Sequence, residues 1–183
     1  QPIGDWNVSS VTNMESMFRV ASTFNQPIGN WNLSSVTSMG SMFRATTAFN
    51  QPIGNWDTSN VTSMTWTFFS AASFNQPIGY WDVSKVTNMK RMFCFASSFN
   101  QPIGDWNTSG VTHKGEMFHG AVSFNQDISD WTLTADLNMT DMFQNTHALS
   151  NAKKGLIHTA FSSNLNWPYD WSAFAPAPPP PDG

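Results

Sequence analysis

Phe24-Asn25-Gln26-Pro27-Ile28-Gly29-Asn30-Trp31 is the stretch that decides the fold, because it returns along the chain with a fixed period. Near-copies start at Phe49, Phe74 and Phe99, each 25 residues after the last, and a looser copy runs from Phe124 to Trp131. The chain opens inside the same unit, with Gln1-Pro2-Ile3-Gly4-Asp5-Trp6. A period between 20 and 50 residues is typical of architectures in which each unit stacks on the next. The sequence therefore predicts a stacked repeat, or solenoid.

The composition excludes several classes of function. Only 11% of the 183 residues are charged, the formal net charge is −4, and the chain lacks the clustered cations that bind nucleic acid. A single cysteine, Cys94, cannot form an internal disulfide. No apolar run approaches the ~20 residues that a membrane-spanning helix needs. The 15 Phe, 10 Met and 9 Trp instead favour a chain that packs large side chains into a core.

The first half of each unit has the periodicity of a strand. From Ile28 to Val36 the order is apolar-x-x-apolar-x-apolar-x-x-apolar, which is the strand pattern of leucine-rich repeats. Alternation with period two predicts that Trp31 and Leu33, and their counterparts in the other units, point into the core. Side by side, these strands would form a parallel sheet on one face of the molecule.

The second half of each unit has helical spacing. In the first unit the apolar residues are Val11, Met14, Met17, Phe18 and Ala21. This spacing predicts one short helix or 3₁₀ turn whose apolar stripe faces the strand. The two halves together predict an α/β repeat solenoid of the leucine-rich-repeat type, with one short strand and one short helix or 3₁₀ turn in each 25-residue coil.

The extent of the period predicts three segments. Residues 1–149 are predicted to form six 25-residue repeats, the first of them truncated, and residues 150–174 to form a C-terminal cap. Residues 175–183 read as a Pro-rich linker or tail. Within the repeats, the Asn that follows each closing Phe is predicted to form a ladder of turn caps; these are Asn25, Asn50, Asn75, Asn100 and Asn125. Lys114 stands where the repeat predicts Met.

The repeated unit also resembles a known family. Units of the form Phe-Asn-Gln-Pro-Ile-Gly-x-Trp-[Asp/Asn]-x-Ser-x-Val-Thr-x-Met-x-x-Met-Phe extend from Gln1 to about Met142. They resemble the BspA-like leucine-rich-repeat surface proteins, in the branch with the 25-residue repeat of mycoplasma and algal surface proteins. The resemblance implies an extracellular or cell-surface location and an interaction role, often adhesion, without catalysis or a cofactor. With an interaction role, the expected partners are other surface or matrix proteins or glycans. Because the chain opens in the middle of a repeat, it is also expected to be part of a longer chain or assembly.

The residues themselves give no sign of catalysis. The four histidines, at positions 113, 119, 147 and 158, lack the spacing of a helical metal site. The sequence contains no Cys-x-x-Cys pair, phosphate loop or Gly-x-Ser-x-Gly. The chain is therefore predicted to be neither an enzyme nor a metal-binding protein.

The residues that alternate with the inward Trp and Val are short and polar. Because the sheets of stacked repeats are usual binding surfaces, these residues are predicted to form a binding face. Hydroxyl, amide and carboxylate groups suit glycans or matrix polymers. The candidate binding residues are Asn30, Asn32, Ser34, Asn55, Asp57, Ser59, Tyr80, Asp82, Ser84, Asp105 and Asn107.

Two other interpretations remain open. The first is a structural subunit or spacer in an extracellular filament or surface assembly. Glycosylation would favour this interpretation, because sugar would cover the binding face; the candidate acceptors are Asn7, Asn32, Asn60, Asn107 and Asn138. The second is ice binding, suggested by one regular rank of threonines at positions 12, 37, 62, 87 and 112.

Overall fold

The structure is a computed structural model that describes residues 1–134 and 137–177. Its only α-helix among these residues is α1, Asn151–Phe161, which a 3₁₀ turn follows at Ser172–Phe174. α1 begins where the Ser150 side chain accepts a hydrogen bond from the Lys153 N–H. No helix in this part of the chain is long and apolar enough to cross a membrane. Of the predicted tail, residues 178–183 lie outside the described residues.

Six coils precede α1, and they stack in parallel with a register of 25 residues. Coils 1 to 6 end, in order, at Phe24, Phe49, Phe74, Phe99, Phe124 and Leu149. One isolated bridge joins each neighbouring pair: Asn13↔Ser38, Ser38↔Ser63, Ser63↔Asn88, Asn88↔His113 and His113↔Asn138. Main-chain hydrogen bonds continue the contact beyond each bridge. Between coils 3 and 4, the N–H groups of Met64, Trp66, Phe68 and Ser70 donate to the carbonyls of Asn88, Lys90, Met92 and Cys94.

The prediction of an α/β leucine-rich-repeat solenoid with a parallel sheet is wrong. In the described coils the inter-coil bridges are single residues, and no strand or sheet forms around the Trp-x-Val segment. A turn lies on each side of that segment. In coil 2 the Trp31 N–H donates to the Ile28 carbonyl before it, and the Val36 N–H donates to the Leu33 carbonyl after it. The backbone therefore bends on both sides of the inward residues and cannot extend as a strand.

The predicted helix in each coil is also absent, and consecutive β-turns take its place. In coil 1 the N–H of Met17 donates to the carbonyl of Met14, and the N–H of Ala21 to that of Phe18. The third residue of each turn has a positive φ, 58° at Ser16 and 65° at Val20, as type II turns require. The N–H groups of Ser16 and Val20 donate instead to coil 2. Because these N–H groups are engaged in turns or with the next coil, the i→i−4 hydrogen bonds of an α-helix cannot form.

The positive φ values recur at the same two places in every coil. They occur at Ser16, Val20, Ser41, Ala45, Trp66, Ser70, Arg91, Phe95, Glu116, Gly120, Asp141 and Asn145. A left-handed conformation costs a non-glycine residue roughly 1 kcal/mol or more. In coils 1 to 5 the N–H groups of these residues donate to the next coil, and those hydrogen bonds offset the cost. In coil 6, Asp141 and Asn145 have the same conformation with no such bond from their N–H groups among the described residues.

The core consists of aromatic columns that run along the stack. Phe43, Phe68, Phe93 and Phe118 stack from coil to coil, with ring centroids 5.5 to 5.8 Å apart. A second Phe column lies beside the first, and Phe93 and Phe99 within one coil are 3.9 Å apart. The apolar residues predicted to face inward are buried in the inner coils although their conformation differs from the prediction.

Two side-chain ladders fix the register between coils. The predicted asparagine ladder is confirmed, because the N–H of each Asn donates to the Oδ1 atom of the Asn one coil earlier, as from Asn75 to Asn50 at 3.0 Å. Tryptophan supplies a second ladder that was not predicted. The indole N–H of Trp81 donates to the Ile53 carbonyl at 3.1 Å, and Trp31, Trp56, Trp106 and Trp131 make the equivalent bond.

The glycine of the repeated motif is required by a close approach between coils. A Cβ atom at Gly79 would lie 2.7 Å from the carbonyl oxygen of Pro102 in the next coil, and Gly4, Gly29 and Gly54 face the equivalent proline carbonyl. At Gly104 the equivalent oxygen belongs to Asp127, at 2.8 Å. Any side chain here would push the coils apart. The glycine of one coil therefore packs directly against the main chain at the proline position of the next coil.

Aromatic residues after α1 pack on the last coil. The Tyr169 hydroxyl accepts a hydrogen bond from the Phe143 N–H at 2.8 Å. Trp167 and Trp171 also pack against the Phe143 ring, at centroid distances of 6.3 and 5.5 Å. These contacts cover the apolar end of coil 6; the division of the chain at residues 149 and 174 stays a prediction.

We predict that Trp81→Phe destabilises the protein by roughly 1–3 kcal/mol, because it leaves a cavity in the core and removes the indole hydrogen bond to the Ile53 carbonyl, which keeps only the bond from the Trp56 N–H. Chemical denaturation would measure the change. Trp6→Phe is the matched control, since Trp6 is 55% exposed and most surface substitutions change stability by less than ~0.5 kcal/mol. Equal effects of the two substitutions would contradict a role for the indole ladder.

Lys114 provides a second prediction, because its side chain is fully buried and its Nζ atom has no hydrogen-bond partner. Burial lowers the pKa of its ammonium group from 10.5 to about 7. Between these values the unfolded chain binds more protons than the folded one, so stability should rise with pH across that window. Lys114→Met restores the residue of the other coils. It should raise stability at pH 7 by roughly 2–5 kcal/mol and abolish this pH dependence.

Denaturation curves between pH 6 and 10.5 would measure both effects of Lys114→Met. Lys90→Met is the control, because Lys90 is exposed. An unchanged stability of Lys114→Met at pH 7 would mean that water reaches the ammonium group in the folded protein.

Candidate functional site

The candidate binding residues lie on one surface, which we call the Asx face. It is defined by the residues just before each Trp, just after it, and three after it. The first row is Asp5, Asn30, Asn55, Tyr80, Asp105 and Asp130; the second is Asn7, Asn32, Asp57, Asp82, Asn107 and Thr132; the third is Ser9, Ser34, Ser59, Ser84, Ser109 and Thr134. The first two rows are exposed, and the third is half-buried except at Ser84 and Ser109. The predicted residues therefore share a surface, although turns rather than a sheet form it.

Side-chain caps hold the second and third rows in place. The Asp57 Oδ1 atom accepts hydrogen bonds from the Ser59 N–H at 3.1 Å and from its hydroxyl at 2.6 Å. This is the Asx-turn, in which a short polar side chain replaces a main-chain acceptor. The same N–H bond recurs at Asn7, Asn32, Asp82 and Asn107. One side-chain oxygen of each Asn and Asp in the second row is thus engaged in the fold.

The capped carboxylates remain charged in neutral solution. Hydrogen bonds from the Ser59 hydroxyl and N–H lower the pKa of the Asp57 carboxyl below its ordinary value. Ser84 lowers the pKa of the Asp82 carboxyl in the same way. The Asx face therefore combines two adjacent capped carboxylates in its second row with neutral amides and hydroxyls, and its first row adds the side chains of Asp5, Asp105 and Asp130.

Among the described residues, the side chains of the first row cap no turn. Neither Asn30 nor Asn55 has a side-chain hydrogen bond within the residues that the structure describes. Tyr80 is 97% exposed, and it borders a shallow groove with Asn55, Pro52 and Pro77. Sequence reasoning found Tyr80 and Asn55 but missed the two prolines. The signal for them was the coil-to-coil register, which places consecutive Asn-Gln-Pro-Ile-Gly turns side by side.

The five glycosylation candidates are all exposed, but their amides differ. The Asn60 Nδ2 group donates to the Ser34 carbonyl at 2.8 Å. Asn7, Asn32, Asn107 and Asn138 instead use their Oδ1 atoms in turns. A glycan attaches through the amide nitrogen. Asn60 would therefore have to break a hydrogen bond to accept one.

The threonine rank presents its hydroxyls along the stack. The Thr37 hydroxyl donates to the Thr12 carbonyl at 3.1 Å, and the hydroxyls of Thr62, Thr87 and Thr112 repeat this bond. Four of the five hydroxyl protons in the rank are consequently committed to the protein and not to the surrounding water. This arrangement weakens the ice-binding hypothesis.

Other reactive groups are dispersed. Over residues 1–134 and 137–177, no cluster of three or more His, Cys, Asp or Glu side chains could hold a metal ion. Burial raises the pKa of the Cys94 thiol to about 12, so the thiol stays protonated. His158 lies against the C-terminal aromatic residues, where its Nδ1 atom is 3.2 Å from the Trp167 indole nitrogen.

Comparison with known proteins identified one family. A family model described as a mycoplasma protein of unknown function, DUF285, matches residues 1–80 and 51–155. The two matches overlap and together cover most of the chain. No curated protein and no solved structure matches it.

We predict that Ser59→Ala raises the pKa of the Asp57 carboxyl towards its ordinary value, because the substitution removes the hydroxyl that is the main cause of the shift. NMR titration of the side-chain carboxyls would measure it. The Asp82 carboxyl, which Ser84 caps independently, is the internal control. An unmoved Asp57 pKa would show that the hydroxyl bond is absent in solution.

Proposed function

Because the chain belongs to the DUF285 family of mycoplasma-type proteins, we propose that it is a non-catalytic repeat domain of a cell surface. In this proposal the Asx face binds a hydroxyl-rich partner, a glycan or a glycosylated surface protein. The resemblance of the repeats to BspA-like surface proteins supports the extracellular location and the adhesive role.

The exposure of the Tyr80 ring beside a groove is the main observation behind the proposal. Tyr80 is the only aromatic residue of the first row, and it stands almost fully exposed beside the groove between Pro52 and Pro77. A sugar ring has an apolar face that packs on an aromatic ring and hydroxyls that need nearby polar groups. Asn55 and the neighbouring Asx side chains supply such groups within the same surface.

Rigidity of the Asx face supports binding as well. The Asx-turn caps fix the second and third rows, and the asparagine ladder fixes the register between coils, before a ligand arrives. A preformed surface loses less conformational entropy on association than a flexible one. Repetition along the stack also offers equivalent groups about every 4.8 Å, which suits a partner that is itself a repeating polymer.

A structural subunit of a surface assembly is the alternative. The exposed amides of Asn7, Asn32 and Asn107 favour it, because their Nδ2 groups are not engaged in the turns described above. Glycans there would cover the Asx face. A glycopeptide map of the protein from its natural source would distinguish the two functions: occupied sites favour the assembly, and bare sites leave the face open for a ligand.

We predict that Tyr80→Asn weakens binding of a neutral oligosaccharide by about tenfold, which corresponds to a loss of ~1.4 kcal/mol of aromatic contact. Asn occupies this place in coils 2 and 3, so the fold should be unaffected. A glycan array would identify the oligosaccharide and calorimetry would measure its affinity. Leu165→Asn is the control, because Leu165 is fully exposed and outside the Asx face.

A second arm of this experiment adds charge without breaking a cap. Asn30→Arg and Asn55→Arg place long cations in the first row, whose side chains hold no turn. Both substitutions should abolish binding while the melting temperature stays within a few degrees of the wild type. Wild-type protein that binds no neutral glycan, or Tyr80→Asn protein that binds equally well, would overturn the proposal.

A further inference from the structure

A second surface, whose side chains are half-buried apart from the exposed Phe95 and Lys90, departs from the repeat. It lies on the tandem turns of coils 2 to 4, residues 39–46, 64–71 and 89–96. The charged residues in these segments are Arg44, Lys90 and Arg91, with no Asp or Glu among them. This local excess of positive charge occurs in a chain whose net charge is −4.

Aromatic side chains organise these cations. The Arg44 guanidinium lies 4.4 Å from the Trp66 ring centroid, and that of Arg91 lies 4.6 Å from the same ring. Phe69 extends the cluster, 4.7 Å from Trp66, and Phe95 stands edge-on to Phe69 at 5.8 Å. We call Arg44, Trp66, Phe69, Arg91 and Phe95 the arginine–tryptophan patch.

The patch is preorganised. Guanidinium groups stacked on a ring lose mobility while their N–H edges stay free for acceptors. The Phe95 ring packs directly on the backbone of Gly120, where a Cβ atom would collide with it. It also contacts the His119 ring, at 5.1 Å. These contacts hold an aromatic ring that is 47% exposed.

The N–H donors of Arg44 are available to a ligand. Arg91 is paired with Glu116, at 2.6 Å between Nη2 and Oε2, whereas Arg44 has no carboxylate partner among the described residues. A guanidinium offers five N–H donors in a planar fork that matches carboxylate, sulfate or phosphate oxygens. A partner that carries such anions would supply the missing acceptors.

The backbone beneath the patch restricts the type of partner. Every N–H from Trp66 to Ala71 is already donated within the stack. An extended peptide therefore finds no main-chain donors here and cannot add itself as a strand. Recognition must come from side chains alone, through planar cations and aromatic edges, which suits an anionic sugar polymer better than a polypeptide.

We propose that the arginine–tryptophan patch binds an anionic polysaccharide, one that carries uronate or sulfate groups. Arg44 binds the anion, and Trp66 holds Arg44 in position while its edge, with Phe69 and Phe95, contacts the sugar rings. The site is separate from the Asx face and has the opposite charge.

The repeats themselves provide the test variants. Trp66→Ser introduces the residue that coils 1 and 2 carry at this place, Ser16 and Ser41, so the backbone conformation is already tolerated. Arg44→Gln removes the unpaired cation. Its matched control is Arg19→Gln, which removes the same charge from the same place one coil away, where the guanidinium contacts no aromatic ring of the described residues.

Calorimetry would measure binding of the full chain to polygalacturonate, dextran sulfate, neutral dextran and poly-L-glutamate. We expect one or both anionic polysaccharides to bind and dextran not to bind at the patch. Arg44→Gln and Trp66→Ser should each weaken that binding about tenfold, and Arg19→Gln about twofold or less. Melting curves of each variant confirm folding. Polygalacturonate and dextran sulfate separate the carboxylate from the sulfate form of the ligand.

Three results would overturn the inference. The first is no binding of either anionic polysaccharide. The second is an equal loss in Arg44→Gln and Arg19→Gln, which would reduce the effect to general charge attraction. The third is equal or tighter binding of poly-L-glutamate with the same dependence on Arg44, which would assign the patch to an acidic polypeptide.

Discussion

Main-chain hydrogen bonding between coils is the constraint on which the rest of the structure depends. Alternate N–H groups of the tandem-turn segments in coils 1 to 5 donate to the next coil, and the N–H groups between them close turns within their own coil. No residue there can join a helix, and residues such as Ser16 and Val20 take a left-handed conformation. Because each coil provides acceptors for the one before it, a single coil has no stable form of its own.

Both candidate surfaces follow from this arrangement. The Asx face exists because Asp57 and its counterparts cap turns and leave one row, with Tyr80, free. The arginine–tryptophan patch exists because the tandem turns point alternate side chains outward, where the core does not constrain them. Coils of nearly the same sequence form the scaffold. The few residues that depart from the repeat, such as Tyr80 and Trp66, supply the aromatic groups of each surface.

The sequence predicted the period, the inward residues and the asparagine ladder, because burial and register depend on side-chain chemistry that a single unit displays. It did not predict the local conformation. Met14, Met17 and Phe18 have the spacing of a helix, but turns that repeat every four residues give nearly the same spacing. A helix and these turns differ in the acceptor to which each main-chain N–H donates, and half of those acceptors belong to a coil 25 residues away. Arg44 and Trp66 were missed for the same reason, since only stacking brings them together.

The direction of the inter-coil hydrogen bonds has a mechanical consequence. Coil 3 and coil 4 are joined by the bonds of Met64, Trp66, Phe68 and Ser70 and by the Trp81 indole, all of which cross the boundary between the two coils. A force that pulls straight along the stack loads these bonds together, whereas a force that peels the chain from one end loads them one after another. The domain should therefore resist stretching along its axis far better than unzipping from a terminus.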